Sequence, residues 1–233
     1  MIKFNNVDFT DLVPVKIEDI QVSPIALTPV ARQRAIEYGA DFVRIGGGTR
    51  TITVSFALLE SNADDREADM NSIREWAKIG EECTLELPQF PTRHLECAVT
   101  QLPDHSYRKW WENKLKLVFT CFNNPFWTSN ELIEVPCGTT FSIGGSAKPL
   151  VTIERSGATP LTNATYTNGA QVMQFTSIPA GKMVIDLNRQ TAQVGTASIM
   201  RYYKPTSDWI MPKVGAYQYI NGTGTVKYRE RWL

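Results

Sequence analysis

The chain has 233 residues, 42% of them hydrophobic and 21% charged, which is ordinary for a globular protein of one large or two smaller domains. Lys plus Arg and Asp plus Glu number 24 each, and this balance argues against a nucleic-acid partner, which would favour a basic excess. No stretch approaches the roughly 18 apolar residues of a membrane helix, and no secretion signal is recognisable, so we expect neither a membrane span nor export.

Strand patterns dominate the first half of the chain. Thr51–Leu59 alternates apolar and polar residues, and Lys114–Phe122 does the same, so each is expected to bury one face. Two shorter strands, Cys83–Leu87 and His94–Gln101, are predicted between them. The predicted core positions of the two long strands are every second residue, namely Ile52, Val54, Phe56, Leu58, Leu115, Leu117, Phe119 and Cys121.

One helix is predicted near Asp64–Ile79. Asn62 or Asp64 can cap its N-terminus, and Gly80 is expected to end it in the left-handed conformation. The apolar residues on one face recur at helical spacing, at Met70, Ile73, Trp76 and Ala77. We therefore expect the helix to pack this face against a sheet.

The segment between Thr28 and Arg50 differs from its surroundings, because three glycines at 46–48 stand between Arg44 and Arg50. A phosphate-binding loop is disfavoured, since the known glycine spacings are absent and a strand rather than a helix follows. We interpret Glu37–Thr51 as a glycine-flanked hairpin arm, long enough to reach a neighbouring subunit and add strands to its sheet.

The second half of the chain has a different texture. Asn and Pro residues end the strand pattern after Phe122, and we expect two domains, 1–131 and 132–233. Short strands separated by glycines predict an all-β sandwich beyond Leu150. The predicted strands are Val151–Glu154, Gln171–Phe175, Lys182–Leu187, Ala192–Val194, Tyr217–Ile220 and Thr225–Trp232.

The four cysteines, at positions 83, 97, 121 and 137, lack the close pairing of a zinc site. Cys97 and Cys121 share the alternation of their apolar neighbours, so we interpret them as small core residues. Disulfides are not expected in a chain that folds in a reducing cytoplasm.

Catalytic residues are not apparent. The two histidines, His94 and His105, have no recognisable catalytic partners, and no nucleophile elbow is present. Asp186, Asp208 and Glu230 could supply the paired carboxylates of a glycosidase, but Asp186 and Asp208 are better explained as turn residues. We predict no catalytic residue, no cofactor and no metal.

Two adjacent tryptophans, Trp110 and Trp111, lie in a polar stretch before a predicted strand. Neighbouring residues of a strand face opposite ways, so both cannot lie in the core unless the chain curls. We expect one of them to be an exposed interface aromatic, with stacking on a sugar as the alternative.

The closing strand is two-faced. Val226, Tyr228 and Trp232 fall on one side and are predicted to face the core. The other side carries a basic row, which we expect to face solvent or a partner protein; its residues are Lys227, Arg229 and Arg231.

The order and spacing of these pieces resemble the distal tail protein family of bacteriophages with long non-contractile tails. The pieces that carry the resemblance are Arg50–Val54, Ile73–Ala77, Thr84–Leu87, Lys114–Trp127, Met183–Leu187, Asp208–Trp209, Val226–Arg229 and Trp232. The resemblance implies a mainly β protein with one helix and two domains. The first would be a ring-forming β-sandwich or tube-like domain with a helix and a hairpin arm, and the second a galectin-like β-sandwich.

The resemblance also implies a role. Such proteins are hexameric hubs without catalytic activity, placed between the tail tube protein, the tape-measure protein and the tip, tail-associated lysin or receptor-binding protein. The expected location is the virion, after assembly in the host cytoplasm, with no membrane and no specific nucleic-acid contact. The interface candidates in this sequence are Arg44, Arg50, Trp110, Trp111, Arg229 and Arg231.

Two alternatives stay open at this point. The C-terminal sandwich could be a carbohydrate-binding module for host cell-wall saccharide, with Trp111 or Trp209 stacking on the sugar. The chain could also be a glycosidase, which would depend on Asp186 or Asp208.

Overall fold

The computed structural model describes residues 1–26, 29–33, 40–45, 48–59, 62–78, 80–103, 115–215 and 217–233, with the backbone alone at 29–33, 40–45, 63 and 217. Close contacts divide the chain into two compact units, Met1–Trp127 and Thr128–Leu233, and each is described by itself. The division into a ring-forming domain and a galectin-like domain with a boundary at 131/132 stays a prediction.

The first unit contains one antiparallel sheet, two described helices and a separate hairpin. Its elements are β1 (Lys3–Phe4), β2 (Val7–Asp8), α1 (Phe9–Leu12), β3 (Val15–Val22), β4 (Pro29–Gln33), β5 (Ala40–Ile45), β6 (Arg50–Leu58), α2 (Ala63–Ala77), β7 (Cys83–Glu86), β8 (Arg93–Gln101) and β9 (Leu115–Cys121). The sheet order is β3-β6-β9-β8-β7-β1-β2. A short strand, β10 (Trp127–Ser129), follows.

The predicted core faces of β6 and β9 are confirmed. All eight predicted core positions of these strands are buried. Aromatic rings fill the space over the sheet: Phe9 stacks on Trp76 with ring centroids 4.9 Å apart, and Phe4 meets Phe119 at 5.2 Å. Strict alternation along β6 and β9 therefore produces a single apolar face, which the long helix covers.

Helix α2 begins and ends for identifiable reasons. The Asn62 side chain accepts a 3.1 Å hydrogen bond from the backbone N–H of Asp64, as an N-cap does. The apolar stripe predicted at Met70, Ile73, Trp76 and Ala77 is buried. The helix ends earlier than expected, because Lys78 already adopts the left-handed conformation, with φ of 41°, two residues before Gly80.

Several elements of the first unit were not predicted from the sequence, among them β3 and α1. Strand β3 pairs along the edge of β6, but its alternation is interrupted by a register shift between Ile17 and Asp19. Its side chains are at most half-buried, so the apolar signal is weak. The short helix α1 is capped by Asp8, whose carboxylate accepts from the backbone N–H of Thr10 at 2.9 Å.

The hairpin arm predicted before β6 is present. Strands β4 and β5 pair with each other, from Pro29 opposite Ile45 to Gln33 opposite Ala40. The arm leaves the sheet at a closed root, since Ala26 and Thr49 exchange backbone hydrogen bonds of 2.8 and 3.3 Å. Of the predicted arm, Glu37–Thr51, residues 37–39 and 46–47 lie outside the described residues, and the observed hairpin begins earlier than predicted, at Pro29.

The second unit is a β-sandwich. Its elements are β11 (Ile133–Pro136), β12 (Thr140–Ser142), β13 (Ala147–Gly157), β14 (Leu161–Thr167), β15 (Val172–Ile178), β16 (Gly181–Asp186), β17 (Thr191–Val194), β18 (Ala197–Ser198), a 3₁₀ turn (Met200–Tyr202), β19 (Tyr217–Tyr219) and β20 (Thr225–Trp232). The main sheet has the order β18-β17-β16-β13-β20-β11. Two antiparallel pairs, β14–β15 and β12–β19, lie outside it.

One apolar core joins the main sheet to these two pairs. Tyr166 of β14 is fully buried, and its hydroxyl donates to the carbonyl of Thr223 at 3.1 Å. Phe141 of β12 stacks on Tyr228 of β20 with centroids 5.4 Å apart. The core is therefore shared by both layers of strands, as in a sandwich.

The mainly β fold class expected from the sequence is confirmed. Most predicted strands of the second half exist, although β13 is far longer than Val151–Glu154, and β14 was missed because its sequence is largely polar. In the described ranges, neither helix has the length and apolar character needed to cross a bilayer.

Gly224 marks a close approach of backbone in the second unit. Its φ is +120°, and a Cβ there would lie 2.3 Å from the carbonyl oxygen of Glu154 on the neighbouring strand. We expect Gly224→Ala to lower the free energy of unfolding by about 2–4 kcal/mol, because it adds backbone strain and a clash. Urea unfolding followed by fluorescence measures the change.

Gly169 supplies a matched control, since its φ is +90° but a Cβ there meets nothing within 4 Å. Gly169→Ala should cost only the strain, about 1 kcal/mol. Equal losses in the two variants would show that the approach to Glu154 is unimportant.

Candidate assembly surfaces

Arg50 is the one interface candidate of the first unit whose side chain the structure describes. It is the first residue of β6, faces the same side as Ile52, and is only 5% exposed. Within the described part of the chain, its Nε and Nη1 atoms have no hydrogen-bond partner. Burial lowers the pKa of Arg50.

A buried guanidinium with unmet donors destabilises the subunit that contains it. Removing a cation from water is costly unless carboxylates or carbonyls replace the lost hydration. Arg50 lies beside the root of the hairpin arm, where Thr49 pairs with Ala26. Its two open donors therefore point to an acceptor supplied from outside the described residues.

For the other candidates of the first unit, the structure describes no side chain. Arg44 lies in β5, where the backbone pairs it with Val30. Trp110 and Trp111 lie outside the described residues, as does His105. Their roles at an interface stay predictions.

The basic row of the closing strand is held inside its own unit. Arg229 donates from Nη1 to the carbonyl oxygens of Ser129 and Asn130, at 2.7 and 2.5 Å. Arg231 donates from Nη1 to the carbonyl of Lys148 at 3.2 Å. All three members of the row are half-buried. The row lies on the outer face, as predicted, but its charges are engaged rather than open to solvent.

Lys227, the third member of the row, lies in a chain of ion pairs on the main sheet. Its Nζ is 2.8 Å from Oε1 of Glu134 and 3.3 Å from Oε2 of Glu154, and Lys182 reaches the same Glu154 oxygen at 3.6 Å. The hydrogen bond to Glu134 is the main reason that the pKa of Lys227 is raised. The outer face of this sheet is therefore neutralised by its own carboxylates.

The core face of the closing strand is shorter than expected. Val226 and Tyr228 are buried, as predicted, whereas Trp232 is half-buried and lies outside the core of this unit. The strand continues past the core, where β13 pairs with it through a register shift between Ala147 and Leu150. The predicted core face is therefore confirmed for Val226 and Tyr228 and not for Trp232.

Two of the three carboxylates considered for catalysis, those of Asp186 and Glu230, have structural roles. Asp186 accepts hydrogen bonds from the backbone N–H groups of Asn188 and Arg189 at 2.9 and 3.0 Å, which confirms it as a turn residue. Glu230 accepts from the N–H of Gly144 at 2.7 Å. Asp208 lies in a loop, where its backbone N–H donates to Val172. Among the described residues, no cluster of His, Cys, Asp and Glu has the arrangement to hold a metal.

Trp209, the proposed sugar-stacking residue of the second unit, is half-buried. Its Nε1 donates to the carbonyl of Leu187 at 3.1 Å, and its ring meets Tyr203 at 5.4 Å. The ring is therefore part of the packing of the sandwich. A substitution there would disturb the fold as well as any ligand.

The sequence interpretation missed one exposed aromatic near Arg50. Phe122 follows Cys121, the residue paired with Arg50, and is 53% exposed. The alternation of β9 already places it on the side opposite the core, so the signal was present in the sequence. An exposed aromatic close to a protruding hairpin is typical of a protein contact.

The fold combines a helix-covered antiparallel sheet and a hairpin arm in the first unit with a β-sandwich in the second. Comparison of the sequence with family models and with curated proteins gave no match. Among solved structures, the chain is similar to the Dit protein of phage SPP1, a paradigm of the hub of the adsorption apparatus in phages that infect Gram-positive bacteria. The TM-score is 0.76 at 15% identity, over 100% of this chain and 98% of that one.

Two further structures show the phage P2 baseplate in its activated conformation. The one with calcium matches with a TM-score of 0.46 at 12% identity, over 100% of this chain and 97% of that chain. The one with strontium gives 0.46 at 11%, over 99% and 96%. The match to the SPP1 protein spans both units, so this chain has the fold of a phage distal tail protein.

We expect Arg229→Ala to destabilise the second unit by about 1–3 kcal/mol, because two carbonyl oxygens lose a charged donor. Chemical unfolding of the purified protein measures this. Arg201→Ala is the control, since Arg201 is exposed and its guanidinium donates to the hydroxyl of the adjacent Tyr202. Unchanged stability in Arg229→Ala together with lost assembly would restore the original view of this residue as a partner contact.

Proposed function

We propose that this protein is the structural hub at the distal end of a phage tail. In this role it forms a hexameric ring that connects the tail tube to the tip or baseplate and the adsorption apparatus, without catalysis. The observation that carries the proposal is the fold match to the SPP1 hub protein over the full length of the chain. Its partners would be the tail tube protein, the tape-measure protein and the tail-associated lysin or receptor-binding protein, all within the virion.

The first unit has the features that a ring-closing contact needs. Strand β3 pairs with β6 alone among the described strands, so one edge of an eight-residue strand is open to another chain. The β4–β5 hairpin protrudes from the root next to this edge. An edge and a protruding arm are two different surfaces, and joining one to the other in a neighbouring copy gives the head-to-tail contact that closes into a ring.

The ring is tested by mass. In light scattering and native mass spectrometry, we expect the purified chain to reach six times its 26.2 kDa subunit mass as concentration rises. The arm is then replaced by an Asn-Gly turn that joins Ala26 directly to Gly48, since the root hydrogen bonds there already bring the two strands together. This variant should remain folded and monomeric. An armless chain that still forms hexamers would exclude the arm as the ring contact, and a wild-type chain that stays monomeric at every concentration would overturn the proposal.

Arg50 offers a second, independent probe of the ring. Arg50→Met removes a buried guanidinium while keeping an apolar side chain, so the isolated subunit should be as stable as wild type or more stable. If a neighbouring copy supplies the missing acceptor, the same variant should weaken the hexamer at least tenfold in concentration midpoint. Unfolding at low concentration and mass measurement at high concentration separate the two effects.

The matched control is Arg189→Met, because the side chain of Arg189 is 85% exposed. It should change neither stability nor assembly. A subunit destabilised by Arg50→Met with an unchanged hexamer would mean that Arg50 serves the fold of the monomer alone.

A further inference from the structure

One end of the sheet in the first unit carries a row of thiols. Cys83 of β7 lies opposite Cys97 of β8. Ala98 pairs with Thr120, so the next residues, Cys97 and Cys121, also lie opposite each other. Cys121 in turn pairs with Arg50 of β6. Four neighbouring strands thus place three thiols and one guanidinium in a line across the sheet.

The geometry of this row permits covalent bonding between neighbours. All three cysteines share the alternation of core residues such as Leu85, so their side chains lie on one face. Directly opposed residues of antiparallel strands have Cα atoms about 4.5–5.5 Å apart, within the roughly 4.4–6.8 Å that a disulfide spans. The cysteines are free in this structure.

The three thiols differ in access. Cys97 and Cys121 are fully buried, whereas Cys83 is half-exposed at the start of its strand. A hydrogen bond with Cys121, followed by burial, raises the pKa of Cys97. A reagent from solvent therefore reaches Cys83 first. Cys97 is the buried thiol opposite it.

We propose that Cys83 and Cys97 form a redox-active dithiol that closes to a disulfide on reaction with a low-molecular-weight disulfide such as oxidised glutathione. The Cys83 thiolate attacks one sulfur of the small disulfide, which breaks the S–S bond and releases one small thiol. Cys97 gives its proton to the small thiolate released in the first step and attacks Sγ of Cys83, which breaks the mixed disulfide and expels the second small thiol. Two protein thiols are oxidised, and one small disulfide is reduced to two thiols.

The bond would act as a staple on the β7–β8 hairpin. The Pro88–Pro91 turn closes one end of this hairpin, and Cys83 with Cys97 lies at the open end. A cross-link there constrains the unfolded chain and should stabilise the first unit. A reducing cytoplasm keeps the pair open, and an oxidising exterior keeps it closed. This property is independent of the proposed hub function.

The test is incubation of the folded, full-length protein with oxidised glutathione, followed by thiol blocking, trypsin digestion without reduction, and mass spectrometry. Trypsin cuts after Lys78 and after Arg93, so Cys83 and Cys97 fall in different peptides and their bond gives a cross-linked pair. We expect this pair, formed faster as pH rises because each attacking cysteine must be a thiolate. The oxidised protein should melt at least about 5 °C higher than the reduced one.

Three variants sharpen the outcome. Cys83→Ser should abolish cross-linking, Cys121→Ser should leave it intact, and Cys137→Ser is the control, because Cys137 lies in the other unit. A Cys97–Cys121 bond, formed by wild type or by Cys83→Ser, would overturn the assignment of the pair. Glutathione attached to Cys83 with no further closure would overturn the proposal as well.

Discussion

The register between β6 and its two neighbours is the constraint on which the first unit depends. Side chains alternate across a strand, so a slip of one residue would exchange Ile52, Val54 and Phe56 for their polar neighbours. The same register places Arg50 opposite Cys121 at the end of the core face. A charged group at that position is desolvated because the strand alternation leaves it no other side to face. The apolar core and the pairing of Arg50 with Cys121 at its end therefore follow from the same strand register.

The second unit uses the same alternation but resolves its charges differently. Strand β20 lies between β13 and β11, and its buried face is Val226 and Tyr228. Its outward cations meet carboxylates of the adjacent strands and the backbone carbonyls of Ser129, Asn130 and Lys148. Hydrogen bonds to charged groups offset the desolvation of these half-buried cations, whereas Nε and Nη1 of Arg50 have no hydrogen-bond partner among the described residues. The outward cations of β20 are thus engaged within their own unit, and the inward-facing Arg50 keeps two donors that no described residue meets.

Elements with a strong and regular residue pattern could be predicted from the sequence. The core faces of β6 and β9, the stripe of α2 and the turn role of Asp186 follow from alternation, helical spacing and Asp chemistry, and all are confirmed. Two of the missed elements, β3 and β14, carry polar or interrupted patterns, because one lies at a sheet edge and the other buries only alternate residues such as Ala164 and Tyr166. The carbonyl partners of Arg229 were beyond prediction, since Ser129 and Asn130 are far away in sequence and come near only through the fold.

The row formed by Cys83, Cys97 and Cys121 also shows what sequence patterns cannot predict. Each cysteine is readable from sequence as a small core residue, and that interpretation is confirmed for Cys97 and Cys121. Their adjacency is not readable, because it depends on the registers of three strands at once. A single buried cysteine packs as a small apolar group. In this sheet the neighbouring strand also places Cys121 within hydrogen-bonding distance of Cys97, and this contact, with burial, raises the pKa of Cys97. The proposed reactivity of this row of thiols therefore depends on strand pairing rather than on any single residue.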